Sequence, residues 1–140
     1  MKKISLFISM LLLPMLMVAQ SVEGLWKTVD DKTGKAKSVV RIYKNDGKLY
    51  GKIIKPIDND EENPLCTACE GNLKNEPING MQIINGLELD NGKWEGKDGI
   101  LDPDNGKLYK CKIWAENNRK LNVRGYIGPV YRTQTWYRYQ

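Results

Sequence analysis

The chain has 140 residues, with 22 Lys and Arg against 17 Asp and Glu, no His and a formal charge of +5. That length suits one hydrophobic core, so a single domain is expected. The charge is small and interleaved with acids, which argues against nucleic acid as a partner, and the lack of His removes the common Ser and Cys triads.

At the start, Met1-Lys2-Lys3 leads into an apolar run from Ile4 to Val18, broken by Ser5, Ser9 and Pro14 and closing on Val18-Ala19-Gln20. A basic n-region, an apolar h-region and a small-residue exit are the parts of a secretory signal peptide. The run is shorter than the ~20 apolar residues of a spanning helix. The expectation is therefore a signal peptide over 1–19, cleavage after Ala19, and one periplasmic or secreted domain over 20–140 with no transmembrane anchor. Gln20 and Ser21 follow the cut where a lipoprotein would carry Cys, so no lipid anchor is expected. Loss of Lys2 and Lys3 lowers the charge to +3.

Beyond residue 20, short segments rich in β-branched and aromatic residues follow one another: Gly24 to Val29, Ser38 to Lys44, Lys48 to Lys55, Met81 to Ile84, Gly86 to Leu89, Lys93 to Leu101, Lys107 to Glu116, Lys120 to Ile127 and Val130 to Tyr139. Turn dipeptides separate many of them, including Asp46-Gly47, Asn85-Gly86, Asn91-Gly92, Asn105-Gly106 and Gly128-Pro129. Asn, Asp and Gly accept the positive φ of tight hairpin turns. Strands at this spacing predict an all-β antiparallel sandwich or barrel.

Period-2 alternation assigns faces. Leu121, Val123, Gly125 and Ile127 share one predicted core face, and Tyr109, Cys111, Ile113 and Ala115 share another. In the last strand Arg132, Gln134, Trp136 and Arg138 alternate with Tyr131, Thr133, Thr135 and Tyr137, and periodicity does not decide which set faces in.

The stretch from Ile57 to Gly80 has no strand-like run, and a loop this long is usually functional or disordered. It holds Cys66-Thr67-Ala68-Cys69. A C-x-x-C pair reads either as a redox couple or as a structural disulfide. A Pro- and Asn-rich loop in an exported all-β chain favours the disulfide. Cys111 is then a buried free thiol that acts as a small hydrophobe, although three Cys allow three alternative single bridges. Glu70 stands where a c-type haem needs His, and zinc lacks ligands. The acidic stretches Asp58-Asn59-Asp60-Glu61-Glu62 and Asp102-Pro103-Asp104-Asn105-Gly106 lack the EF-hand spacing and read as a solvated loop and a turn. No cofactor or metal is expected, no catalytic residue can be named, and enzyme activity has no support.

Four Trp and seven Tyr are many for a domain of this size. They either pack a small barrel or offer stacking surfaces to a ligand.

The chain resembles a known family through Gly24-Leu25-Trp26, Gly47-Lys48-Leu49-Tyr50-Gly51-Lys52-Ile53, Cys66-Thr67-Ala68-Cys69, Gly99-Ile100-Leu101-Asp102-Pro103, Gly106-Lys107-Leu108-Tyr109, Leu121-Asn122-Val123-Arg124-Gly125-Tyr126-Ile127-Gly128 and Arg132-Thr133-Gln134-Thr135-Trp136. Together these resemble the exported bacterial Domain of Unknown Function 2147 family. The resemblance implies a lipocalin-like up-and-down β-barrel, and no reaction or binding residues come with it. The lipocalin-like ends suggest that Trp26 closes the barrel against Arg138 or Arg132. The functional expectation is a non-enzymatic binder of a small, extended or apolar ligand in the cell envelope. The alternatives are a thiol-disulfide factor using Cys66 and Cys69, and a protein-binding envelope module. An open interior, exposed low-pKa thiols, or a filled barrel with an outer aromatic patch would separate the three.

Overall fold

The computed structural model describes residues 21–57 and 62–140. The expected signal peptide, its cleavage site and Asp58-Asn59-Asp60-Glu61 lie outside the described residues. Eight strands form an antiparallel meander: β1 (Gly24–Val29), β2 (Ala36–Asn45), β3 (Lys48–Pro56), β4 (Gln82–Asp90), β5 (Lys93–Asp102), β6 (Lys107–Ala115), β7 (Lys120–Ile127) and β8 (Val130–Arg138). Each pairs with the next, and β8 returns to β1 to close a barrel. Of the sandwich or barrel that the turn spacing allows, the barrel implied by the family resemblance is the fold observed.

The hairpin chemistry is local. At Asp46-Gly47 both residues take positive φ, 50° and 74°, and at Asn91-Gly92 they take 48° and 78°. Two-residue turns of this hand match the right-handed strand twist. Asn85-Gly86, expected to be another hairpin, instead lies within β4, where pairing slips between Ile84 and Glu88. Gly86 takes φ 64° there, so the positive φ bends one strand as a bulge rather than ending it. The two predicted segments around it are therefore a single strand.

Alternation carries one side chain in two to the interior, where Trp26, Val40, Ile42, Leu49, Leu87, Ile113 and Leu121 are buried in one cluster. The last strand resolves through its register: Leu121 pairs with Trp136 and Val123 with Gln134. Trp136, Gln134 and Arg132 thus share the inward face. Ile127 departs from its predicted burial and is 69% exposed. Its parity is inward, but it is the last residue of β7 and stands at the barrel rim, where no core remains to cover it.

The loop between β3 and β4 carries a 3-10 turn, Gly71–Leu73, and a bridge between Leu65 and Pro77. Cys66 and Cys69 from this loop join the main core cluster, so the loop caps one end of the barrel with apolar surface.

Candidate functional site

The two ends of the barrel are built differently. At the end holding the chain termini, the Trp26 indole is fully buried and its Nε1 donates to the Val22 carbonyl at 2.9 Å. Trp26 sits opposite Arg138 in the β1–β8 register, and the guanidinium lies 3.9 Å from the indole centroid. The same guanidinium donates to the carbonyls of Glu23 (2.6 Å), Asn118 (3.0 Å) and Ser21 (3.2 Å). One side chain thus ties the N-terminal segment, the β6–β7 connection and the last strand together. A Cβ on Gly24 would come within 2.5 Å of Arg138 Nη1, and Gly24 has φ +123°, so the glycine of Gly-Leu-Trp is required by both the backbone and this close approach.

Of the two arginines weighed for this closure, Arg132 is elsewhere. It lies six residues back along β8, on the same face but at the far end of the barrel, where its Nη1 meets Asp31 Oδ2 at 3.2 Å. The β-strand rise of ~3.3 Å per residue puts it about 20 Å from the indole end, which is the physical reason that it has no part in closure.

At this far end, the mouth, the β8 side carries polar groups, while the Cys66–Cys69 loop covers the side of the β5–β6 turn. The Trp136 Nε1 donates to Gln134 Oε1 (3.0 Å) and Gln134 Nε2 donates to Asp31 Oδ1 (2.7 Å). With the Arg132–Asp31 pair, this makes a relay of fixed polar groups from the buried indole to the rim. Asp31 comes from the β1–β2 connection, where Asp30 accepts from the backbone N–H groups of Lys32 and Thr33. Those two bonds hold the Asp30 carboxyl below its ordinary pKa. On the other side of the mouth, Lys37 of β2 forms an ion pair with Asp104 in the β5–β6 turn. Asn105 in that turn donates to Tyr109 Oη at 2.7 Å.

Beside the relay the wall of β7 lacks a side chain. Gly125 shares the inward face with Leu121 and Val123 and pairs with Arg132, and a Cβ placed on it would meet nothing among the described residues within 4 Å. Deeper in, the packing is tight: a Cβ on Gly99 would come within 2.7 Å of Cys111 Sγ. At the mouth itself the Cys66–Cys69 loop, Met81 and Leu101 pack into the core cluster, so the gap beside the relay is confined to the β7–β8 side.

Cys66 and Cys69 are joined by a disulfide with a Cα separation of 5.4 Å, and both sulfurs are buried. Cys66 Sγ lies 3.5 Å from the Pro103 carbonyl, which packs the loop on the β5–β6 turn. A reactive cysteine pair sits in a partly exposed, electropositive setting, and here both cysteines are buried. Cys111 is buried and free, its thiol pushed up to about 12 by burial. Among the described residues no three His, Cys, Asp or Glu side chains group as metal ligands, and no helix is long and apolar enough to cross a membrane.

The ring closed by this disulfide is short, so its loop-entropy contribution falls below the ~3 kcal/mol of a 15-residue loop. Replacing Cys66 and Cys69 with Ser should nevertheless cost ~1–3 kcal/mol, because two buried sulfurs are exchanged for hydroxyls that need partners. Limited proteolysis should show the clearest change, with new cuts between residues 62 and 80. An unchanged digestion pattern would mean that the bridge does not order the loop.

The outer face of β5–β8 carries interleaved cations and rings. Lys93 Nζ lies 4.4 Å from the Trp114 centroid, and Arg124 Cζ lies 5.0 Å from Trp114 and 4.2 Å from Tyr131. The Tyr126 and Tyr131 rings are 5.8 Å apart. Sequence alternation set Trp114, Arg124 and Tyr126 opposite the predicted core faces and left Tyr131 undecided, while the stacking follows from cross-strand register.

A family model described as "Uncharacterized protein conserved in bacteria (DUF2147)" matches residues 24–138. The chain belongs to the DUF2147 family. Among solved structures, it is similar to a protein of the human pathogen Helicobacter pylori described as belonging to the lipocalin family, with a TM-score of 0.73 and 21% identity over 86% of this chain and 84% of that one. At that identity the likeness shows the fold. No curated protein matches. The matched span of the DUF2147 family runs from Gly24, which admits Arg138, to Arg138 itself.

Proposed function

We propose that this DUF2147 protein is a non-enzymatic binding protein of the cell envelope that takes a small ligand at the mouth of its barrel. The observation that carries this reading is the recess at Gly125 beside the Trp136–Gln134–Asp31–Arg132 relay. Small barrels hold at most one small ligand, and here the packed core restricts the ligand to the rim. The Arg132 guanidinium uses one nitrogen on Asp31 and presents the rest to solvent, so it suits a ligand with an anionic or carbonyl oxygen. An apolar part of the ligand would rest against Gly125 and the wall above Trp136. Envelope placement is supported by the sequence of residues 1–19 and by the disulfide, since disulfides persist in oxidising compartments.

The test is to fill the recess. Gly125→Leu should leave the melting temperature nearly unchanged while abolishing the blue-shifted fluorescence of bound anilinonaphthalene sulfonate, an anionic aromatic probe. Arg132→Gln should weaken the same probe by ~10-fold, the loss of one charge-assisted hydrogen bond of about 1.5 kcal/mol. If Gly125→Leu instead costs the ~1–3 kcal/mol of an overpacked core, or leaves probe binding intact, the mouth is not the site.

A further inference from the structure

The segment from Asn117 to Gln140 contains no Asp or Glu and carries five cations, Arg119, Lys120, Arg124, Arg132 and Arg138. Residues 20–116 hold fifteen Lys and Arg against seventeen acids. Three of the five, Arg119, Lys120 and Arg138, stand at the end of β7–β8 away from its turn, and Arg124 and Arg132 stand toward the turn. At its turn, every residue from Ile127 to Thr133 is exposed. Val130 is 68% and Tyr131 57% exposed, and with Ile127 and Pro129 they form an apolar tip projecting past the barrel rim.

Behind the tip the chemistry changes in layers. Tyr126 and Tyr131 come first. The cations follow, with Lys110 Nζ 5.3 Å from the Tyr126 centroid and Arg124 fixed by its Nε donating to Thr133 Oγ1 at 2.9 Å. Apolar tip, tyrosine belt and cations match the layers met on entering a lipid surface: the acyl boundary, the headgroup region that favours Tyr, and the phosphates that attract Lys and Arg.

We propose that the β7–β8 hairpin docks the barrel on an anionic phospholipid surface. Ile127, Pro129 and Val130 enter the acyl boundary while Lys110 and Arg124 meet phosphates. Lys110 and Arg124, which form no ion pair among the described residues, argue for an anionic partner, and the projecting apolar tip argues for a lipid layer rather than an acidic protein, whose surface would offer such a wedge no apolar phase. This assignment does not depend on what the mouth binds. Because tip and mouth share one end, docking turns the mouth toward the lipid.

The experiment is co-sedimentation of the protein, purified after export, with unilamellar vesicles of phosphatidylcholine alone or with about 30% phosphatidylglycerol. Two phosphate-facing cations should favour the anionic vesicles by at least ~10-fold. Binding should fall sharply at 1 M salt, where the Debye length is about 3 Å. Val130→Asp should reduce binding at least ~10-fold by placing a charge in the acyl boundary. Leu89→Asp, equally exposed at the opposite end of the barrel, should leave it unchanged. As a second readout, an environment-sensitive fluorophore on Val130→Cys should shift to the blue on anionic vesicles, the buried Cys111 staying unlabelled. Absent or equal binding to the two vesicle types would overturn the proposal. So would equal losses in Val130→Asp and Leu89→Asp, displacement by soluble glycerol phosphate, or hairpin-dependent capture of an acidic protein without vesicle binding.

Discussion

Trp26→Ala is expected to destabilise the protein by ~3–5 kcal/mol, the range for emptying a buried Trp site. Domains of this kind have only ~5–15 kcal/mol in all, so the variant should sit near the edge of folding. Three effects converge on this position. The indole is buried, its N–H is satisfied by Val22, and its face supports the Arg138 guanidinium at 3.9 Å. Trp26→Phe keeps a ring face but loses the N–H donor, so it should fall between. Arg138→Lys should also cost stability, because an ammonium cannot reach three carbonyls with the planar fork. Urea unfolding midpoints at matched m-values provide the measurement. A Trp26→Ala stability within ~1 kcal/mol of the parent would show that the closure is not anchored there.

The second large effect is a dependence of stability on alkaline pH that traces to Cys111. Burial raises its thiol from 9.0 to about 12, so between these values the unfolded chain releases a proton that the folded chain retains. A group raised in the folded state stabilises fully below its unfolded pKa and loses that contribution as pH rises toward the folded one. The slope is ~1.4 kcal/mol per pH unit above pH 9. Lys and Tyr titrate in the same range, so the readout is the difference between the parent and Cys111→Ala. At pH 8 the parent should be the more stable, because the sulfur packs against the inner wall at Gly99. That advantage should shrink by ~2 kcal/mol between pH 9 and 10.5, and a difference flat across this window would sink the assignment.

Much of the barrel was legible because its turns are chemical. Asp46-Gly47 and Asn91-Gly92 announce positive φ in their residue types, and the strands between them follow. Asn85-Gly86 carries the same letters and marks a bulge, since the pairing of β3 and β5 on either side holds the strand on its course. The last strand could not be oriented from its pattern, as one face sets Trp136 among Arg132, Gln134 and Arg138 and the other sets Tyr131 and Tyr137 among Thr, and neither is plainly apolar. Only the pairing of Leu121 with Trp136 decides it, and that same pairing separates Arg138 from Arg132. Alternation predicted Ile127 inward and was defeated by the rim, which no period records. The mouth was hidden for a related reason: Gly125 is one missing side chain on an inward face, and its meaning depends on what fails to reach it. The Cys66–Cys69 spacing was visible, but not its burial, which follows from the loop docking on the Pro103 turn.

The seam where the barrel shuts has its own consequence. Every other pairing joins neighbours along the chain, whereas β1 and β8 meet through only two residue pairs, Trp26 with Arg138 and Lys27 with Tyr137, and Arg138 reaches Glu23 across 115 positions of sequence. The curled meander can assemble hairpin by hairpin, and the seam comes last because it has the longest loop to close. A barrel is protected from strand-to-strand polymerisation because it has no edges. With the seam parted, the same chain is an open sheet with two. The arginine latch near the C-terminus therefore guards against aggregation as much as it contributes to stability.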